Sequence, residues 1–209
     1  MNVFDDIGFP AEMTFTNFFE FKNRSLHLLR SVVPTEKTGK WIGIAPFAKH
    51  KGKVYPFEKM QKVIEELSKK TNHTIFLFGV GDKEKSMIKN WTRQFNNVID
   101  VSGKFNLESE IMLISYLDVM VSMGSANMHL ASLVEVPVVS IWGATHPSLG
   151  FYGYRQDPNN AIQVDLSCRP CSVFGDLPCK RGDYACLNTI KESDIVNKVE
   201  NILSHSKDE

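Results

Sequence analysis

From Lys40 onward, short runs of β-branched and apolar residues alternate with longer segments whose apolar positions recur at helical spacing. Such alternation commits a chain to a parallel sheet with crossover helices, because parallel neighbours need a long return connection and a helix is what packs back on the sheet. Residues 41–45 read as a first strand. After a loop over 46–55, Pro56 sits where a first-turn proline belongs, ahead of Phe57, Met60, Val63, Ile64 and Leu67 on one helical face. A second strand is expected over 74–78, a helix over 83–91 after a turn at Gly79 and Gly81, and a third strand over 98–101. A helix over 107–117 follows, with Asn106 as N-cap and Glu108 and Glu110 in its first turn. Strand 119–122, helix 125–134 and strand 138–141 complete five βα-type units. Near the end, Thr189 and Glu192 have capping-box spacing, ahead of Ile195, Val196, Val199, Ile202 and Leu203 of a closing helix. The expected fold is α/β, a Rossmann-like parallel sheet with helices on both faces.

At 209 residues and 43% hydrophobic content, the chain can bury one full-sized core with a smaller appendage. Its 24 basic residues balance 24 acidic ones, so no overall field draws it to nucleic acid or an anionic membrane, and any anion site must be local. The longest apolar runs, such as 136–144, are too short to cross a bilayer, and Met1 is not followed by a signal-peptide pattern. A cytoplasmic location, at most peripheral at the inner face of the membrane, is expected. The first forty residues differ from the rest: Phe4, Phe9, Phe15, Phe18, Phe19 and Phe21 crowd together with no strand period. So many rings either pack back on the domain or face another one.

In an open doubly wound sheet, ligands sit at the carboxyl ends of the strands. Three predicted loops meet there. The first, after strand one, carries Lys49, His50, Lys51 and Lys53 just ahead of a helix, where positive side chains and free amides can hold phosphate; from charge alone the favoured reading is a solvated lysine-rich loop, since the glycine spacing of a Walker-type cradle is missing. The second, Gly124-Ser125-Ala126-Asn127-Met128-His129, is small and polar, so that backbone N–H groups can approach a ligand while Ser125 and His129 donate to it. The third, Gly143-Ala144-Thr145-His146-Pro147, is a turn with one hydroxyl. Each signal is weak alone; their convergence at one end of the sheet is informative. The four cysteines, Cys168, Cys171, Cys179 and Cys186, are spaced C-x2-C-x7-C-x6-C. Four thiolates can bind zinc, but the second pair is spread wider than in a zinc ribbon, and reduced thiols packing a C-terminal loop are the favoured reading. No metal and no cofactor are expected.

Beyond these patterns, the run from Ile42 to Leu203 resembles the C-terminal domain of family 9 glycosyltransferases, the ADP-heptose:lipopolysaccharide heptosyltransferases. The resemblance rests on Ile44-Ala45-Pro46, on Lys53 three residues before Pro56, on Gly124-Ser125-Ala126-Asn127-Met128-His129-Leu130-Ala131, on Trp142-Gly143-Ala144-Thr145-His146-Pro147, and on Cys168-Arg169-Pro170-Cys171 with Cys186-Leu187. It implies the C-terminal half of a GT-B enzyme: residues 40–209 as the nucleotide-sugar domain, and 1–39 as a remnant of the N-terminal domain with the interdomain segment. It implies an inverting, metal-independent transfer of heptose or a related sugar, with ADP-heptose as donor and a lipopolysaccharide core as acceptor. The resemblance puts phosphate contacts on Lys53, Ser125 and Ala126, with Asn127 and the motif His129 beside them, the nucleobase against Phe105, the ribose on Glu84, and adds Thr145 to the donor site. Two departures stand out. The family carries Asp-Ser-Gly where this chain has Gly124-Ser125-Ala126, and its aspartate base lies on an N-terminal domain whose far end Met1 to Pro10 resembles. No catalytic base is therefore expected in this chain, which as it stands is expected to be an incomplete catalyst. The alternative is a non-catalytic, degenerate sugar-nucleotide-binding or interaction module.

Overall fold

The central sheet of the computed structural model, which describes residues 5–10, 15–21 and 24–205, contains β1 (Lys40–Ala45), β2 (His73–Leu77), β3 (Val98–Asp100), β4 (Val119–Met123), β5 (Val138–Ile141) and β6 (Ala161–Ile162). All pairings are parallel, in the order β3-β2-β1-β4-β5-β6. The strand order reverses beside β1, where the chain crosses from β3 back to β4, and this is the switch point at which open α/β sheets bind ligands. The helices are α1 (Phe57–Ser68), α2 (Gly81–Thr92), α3 (Leu107–Ile114), α4 (Ala126–Ser132), α5 (Ala185–Asn188) and α6 (Glu192–His205).

Because the strands alternate sides, each feeds two cores. Ile42, Ile44, Ile75, Leu77, Val119, Val121, Val139 and Ile141 point to one face, where Met60, Val63, Ile64 and Leu67 of α1 and Ile195, Val199 and Leu203 of α6 cover them. Trp41, Phe76, Phe78, Met120, Val138 and Trp142 point to the other, under Ile111 to Ile114 of α3 and Met128 and Ala131 of α4. Burial on both faces is why these strands read as near-continuous apolar runs. Each fully buried Leu, Ile or Val contributes about 1.5–3 kcal/mol relative to exposure, so the three-residue stripe of α6 alone holds that helix down.

The five expected strands and the helices between them are present with shifted ends. Pro56 is the N-cap of α1 rather than its first helical residue. α3 stops at Ile114 instead of running to 117, because Ser115 turns its hydroxyl back to the Met112 carbonyl at 2.7 Å and the chain must reach Asp118, whose carboxylate accepts from the Trp41 amide at 2.7 Å. Asn106 caps α3 as expected, accepting from the Ser109 amide at 2.9 Å. The capping box at Thr189 and Glu192 does not form: the Thr189 hydroxyl donates to the Ala185 carbonyl at 2.8 Å and closes α5 instead. The two-residue β6 was not expected; with no apolar alternation to mark it, it exists only through its pairing with β5.

Of the early phenylalanines, Phe18 and Phe19 pack back on the α3–α4 side of the sheet, alongside the buried Leu29 and Val33, whereas Phe9 is 72% exposed. Phe15 is partly buried. Phe4 and the side chain of Phe21 lie outside the described residues. Among the described residues, no helix is long and apolar enough to cross a membrane.

Candidate functional site

Two adjoining clefts open at the carboxyl ends of β1 and β4. The first, of about 420 Å³, lies between the loop after β1, the start of α2 and the start of α4. The second, of about 290 Å³, lies between the start of α4, the turn after β5 and a strap over residues 171–177. Lys53, Ser125 and Ala126 line both. The fold thus brings the lysine of the first loop and the small residues of the second together, 72 residues apart in sequence.

Lys53 is the hinge of this arrangement. Its side chain is partly buried, and burial pushes its ammonium pKa below the usual lysine value. None of the described residues provides a carboxylate within ion-pair distance of it. The loop that carries it is held by close backbone approach: Gly52 N–H donates to the Gly175 carbonyl at 3.3 Å, and the Gly52 carbonyl accepts from the Ala144 amide at 2.8 Å. A Cβ on Gly52 would lie 2.7 Å from the Gly175 oxygen, and one on Gly175, whose φ is +76°, would lie 2.6 Å from Lys53 Cγ. Both contacts require glycine. Lys49 joins Lys53 on the first cleft.

Ser125 is the N-cap of α4, yet its side chain makes no capping bond; its hydroxyl stands 3.3 Å from that of Ser122. The first-turn amides of Ala126 and Asn127 have no intrahelical acceptor to serve. An unpaired ammonium, a hydroxyl and two such amides at one spot suit a polyanion. His129, one turn further, lines the second cleft, and partial burial together with the Lys53 charge pulls its pKa below the ordinary imidazole value. It is therefore neutral at pH 7 and presents one donor and one acceptor nitrogen.

Of the expected donor contacts, Lys53, Ser125, Ala126, Asn127 and Glu84 line the first cleft, and His129 and Thr145 the second. Glu84 Oε2 accepts from the Val80 amide at 2.8 Å, which holds the carboxylate at the cleft wall. Phe105 lines neither cleft: its ring is partly buried against the α3–α4 core, where apolar surface is better removed from water. Phe47, Phe78 and Val80 are the large apolar groups that do face the first cleft.

Sequence reasoning missed several lining residues. Glu110, credited only with complementing a helix end, faces the first cleft, accepts from Asn127 Nδ2 at 3.2 Å, and has its carboxyl pKa raised by burial. Its position three residues into a capped helix that borders the switch point was the available signal. Phe151, Val173 and Phe174 on the second cleft carried no local signal. The turn at 143–145 is pinned by Arg169, which donates to the carbonyls of Gly143 (2.5 Å), Thr145 (2.9 Å) and Val164. The four cysteines are unpaired, and among the described residues no group of three or more His, Cys, Asp or Glu is placed to hold a metal ion. A larger hollow, about 710 Å³, lies at the opposite end of the sheet, between Pro137, the 154–160 loop and the end of α6, away from Lys53.

Residues 5–178 match glycosyltransferase family 9 (heptosyltransferase). A lipooligosaccharide heptosyltransferase 2 from Campylobacter jejuni is 21% identical over 204 residues, covering 95% of this chain and 58% of that protein. A lipopolysaccharide heptosyltransferase 1 from Campylobacter coli is 25% identical over 199 residues, covering 92% and 56%. The family 9 glycosyltransferase of Veillonella parvula superposes with a TM-score of 0.71 at 19% identity, covering 98% of this chain and 58% of that one, and carries the same fold. The chain spans about half the length of the relatives it matches. With the family matched across most of its length and the fold shared, this chain belongs to glycosyltransferase family 9, the heptosyltransferases.

Proposed function

We propose that this chain is the nucleotide-sugar-binding half of an inverting, metal-independent glycosyltransferase that moves a heptose or related sugar from a nucleoside diphosphate to a lipopolysaccharide core acceptor. The observation that carries this reading is Lys53: a partly buried ammonium without an anionic partner among the described residues, shared by two clefts beside the free amides of α4. A diphosphate there would satisfy all of these groups at once. The nucleoside occupies the first cleft, its ribose hydroxyls on Glu84 and its base against Phe47 and Val80, with Phe105 at most an outer contact. As the sugar–phosphate bond breaks, negative charge grows on the departing diphosphate, and Lys53, the Ser125 hydroxyl and the first-turn amides stabilise it without a metal. Neutral His129 donates one further hydrogen bond.

Residues 40–209 are the donor domain in this reading and 1–39 the interdomain segment. In this reading the acceptor site and the base that deprotonates its hydroxyl belong to the half of the relatives that this chain does not span, and the residues in hand account for the donor side. A heptosyltransferase of Escherichia coli solved with ADP shares the fold at a TM-score of 0.62 and 18% identity, which favours adenine as the base. Gly124, in place of the family's aspartate, favours a second reading, a non-catalytic binding module. Calorimetric titration with ADP and UDP tests the proposal: saturable binding with ADP preferred supports it, and the absence of heat for either nucleotide at millimolar concentration refutes it.

A further inference from the structure

The hollow of about 710 Å³ at the amino ends of β5 and β6 lies at the far end of the sheet from Lys53, and donor binding uses none of its lining. Its backbone is held under strain. Among the described residues other than glycine, Glu135, Arg155 and Tyr184 have a positive φ, and the first two, at 58° and 56°, both line this hollow. Glu135 closes α4: its amide donates to the Ser132 carbonyl at 3.4 Å, and the next amide, of Val136, to the Ala131 carbonyl at 3.0 Å. Glycine ends a helix this way without steric cost, so a charged side chain here, and again at Arg155, points to a use for the side chain itself. We propose that this hollow binds a saccharide, as a site separate from the donor clefts.

Charge narrows the ligand first. Two cations, Arg155 and Lys198, and two carboxylates, Glu135 and Asp157, line the hollow, so that apart from His205 it carries no net formal charge. None of the four forms an ion pair with another described residue. A bare anion would meet the carboxylates, and a bare cation the ammonium and guanidinium. Hydroxyls, which both donate and accept, can use every one of these groups. The side-chain amides of Asn159, Asn160 and Asn201 also line the hollow and make no hydrogen bond to another described residue, which adds three groups that donate and accept at once. Pro137, Ile202 and the Tyr154 ring supply the apolar part of the lining, which suits the C–H face of a sugar ring. At about 710 Å³ the space falls within the ~300–1,000 Å³ usual for small-molecule pockets.

The walls are fixed in advance. Gln156 accepts from the Val138 amide at 2.7 Å and donates to the Val136 carbonyl at 2.9 Å, which ties its loop to the start of β5. The Tyr154 hydroxyl donates to the Phe15 carbonyl at 3.1 Å, and the Arg155 guanidinium sits 5.7 Å from the centre of the Tyr154 ring. Asn17 donates to Glu135 Oε2 at 3.2 Å. A ligand therefore has little of this wall to order. Lying across the sheet from Lys53, the site holds a saccharide rather than transferring it.

The test is amide chemical-shift mapping of the whole chain titrated with glucose, galactose, mannose, maltose and lactose, and with inorganic phosphate as the ionic control. At least one sugar should give saturable shifts centred on Asn159, Asn160 and Asn201, with a dissociation constant on the order of millimolar that ADP leaves unchanged. Phosphate should not. Glu135→Gly and Arg155→Gly relieve the positive-φ strain, so both should melt no lower than wild type, yet each should weaken the sugar about fivefold. Asn201→Ala, on the exposed face of α6, should weaken it similarly without moving the melting temperature. No saturable shift at this hollow with any of the five sugars at ~50 mM would overturn the proposal. Phosphate shifting the same amides as tightly as the sugar would overturn it too, by reducing the site to a patch of cations. So would glycine variants that bind the sugar as wild type does, because the strained side chains would then serve no ligand.

Discussion

Replacing Lys53 with methionine removes the charge and keeps the stem, which matters because that stem packs beneath Gly175. In the free protein the ammonium is partly desolvated and has no anionic partner among the described residues, so the fold loses nothing when it goes, and the melting temperature should hold or rise slightly. A phosphate oxygen at ~4 Å attracts a unit positive charge by about 4 kcal/mol at an effective dielectric constant near 20. Solvent screening and residual desolvation reduce the net to about 2–3 kcal/mol, a loss of about 30- to 150-fold in ADP affinity. The assay is calorimetric titration of wild type and Lys53→Met with ADP and with adenosine, which carries no phosphate. ADP should weaken by that factor, and adenosine should stay within about twofold. The gap should also narrow as salt is raised, since part of the site is open to solvent. Parallel losses for ADP and adenosine would mean that the substitution disturbs the cleft as a whole, and an unchanged ADP affinity would refute the assignment of Lys53 to the diphosphate.

Gly175→Ala leaves every charge in place but drives a methyl into Lys53 Cγ at a positive φ; it should weaken ADP by about tenfold and lower the melting temperature by a few degrees, and unchanged binding would show that the Lys53 position is not critical. A Cβ at Gly124 has the Trp142 ring as its nearest neighbour, at an ordinary 3.5 Å, so Gly124→Asp should fold normally and raise the preference for ADP-heptose over ADP by about tenfold; no gain would favour the binding-module reading. Burial raises the Glu110 carboxyl pKa in the fold, so its stabilising protonated form is held below the ordinary carboxylate range and lost as pH rises through the raised value. Glu110→Gln should therefore melt about 2–4 °C higher at pH 7, with the advantage gone near pH 4, and a lower melting point at pH 7 would show that the ionised carboxylate is better satisfied than its burial implies.

What the sequence made legible follows from periodicity. Strands buried on both faces announce themselves as apolar runs, and the stripes of α1 and α6 as helical spacing, so element order and the end of the sheet where the two clefts open could be read in advance. Element ends could not: α3 stops early through Ser115 and Asp118, and β6 is defined only by the strand beside it. The residues we assign to the diphosphate were legible for a similar reason, because Lys53 and Ser125 lie in the loops that follow β1 and β4. The second cleft was not, since Phe151 and Phe174 come from irregular segments whose path is set by Arg169 and by the Ser172–Asp176 turn, contacts with no sequence period. Phe105, expected at the base, packs partly against the core it borders and lines neither cleft.

Amide chemical-shift mapping of the wild-type chain titrated with ADP asks most directly whether the carboxyl ends of β1 and β4 hold a nucleoside diphosphate. The largest shifts should fall on Lys53, Val80, Ala126 and Asn127, saturating together with one dissociation constant. Shifts centred instead on Gln156, Asn159 and Asn201, around the larger hollow at the amino ends of β5 and β6, would contradict it.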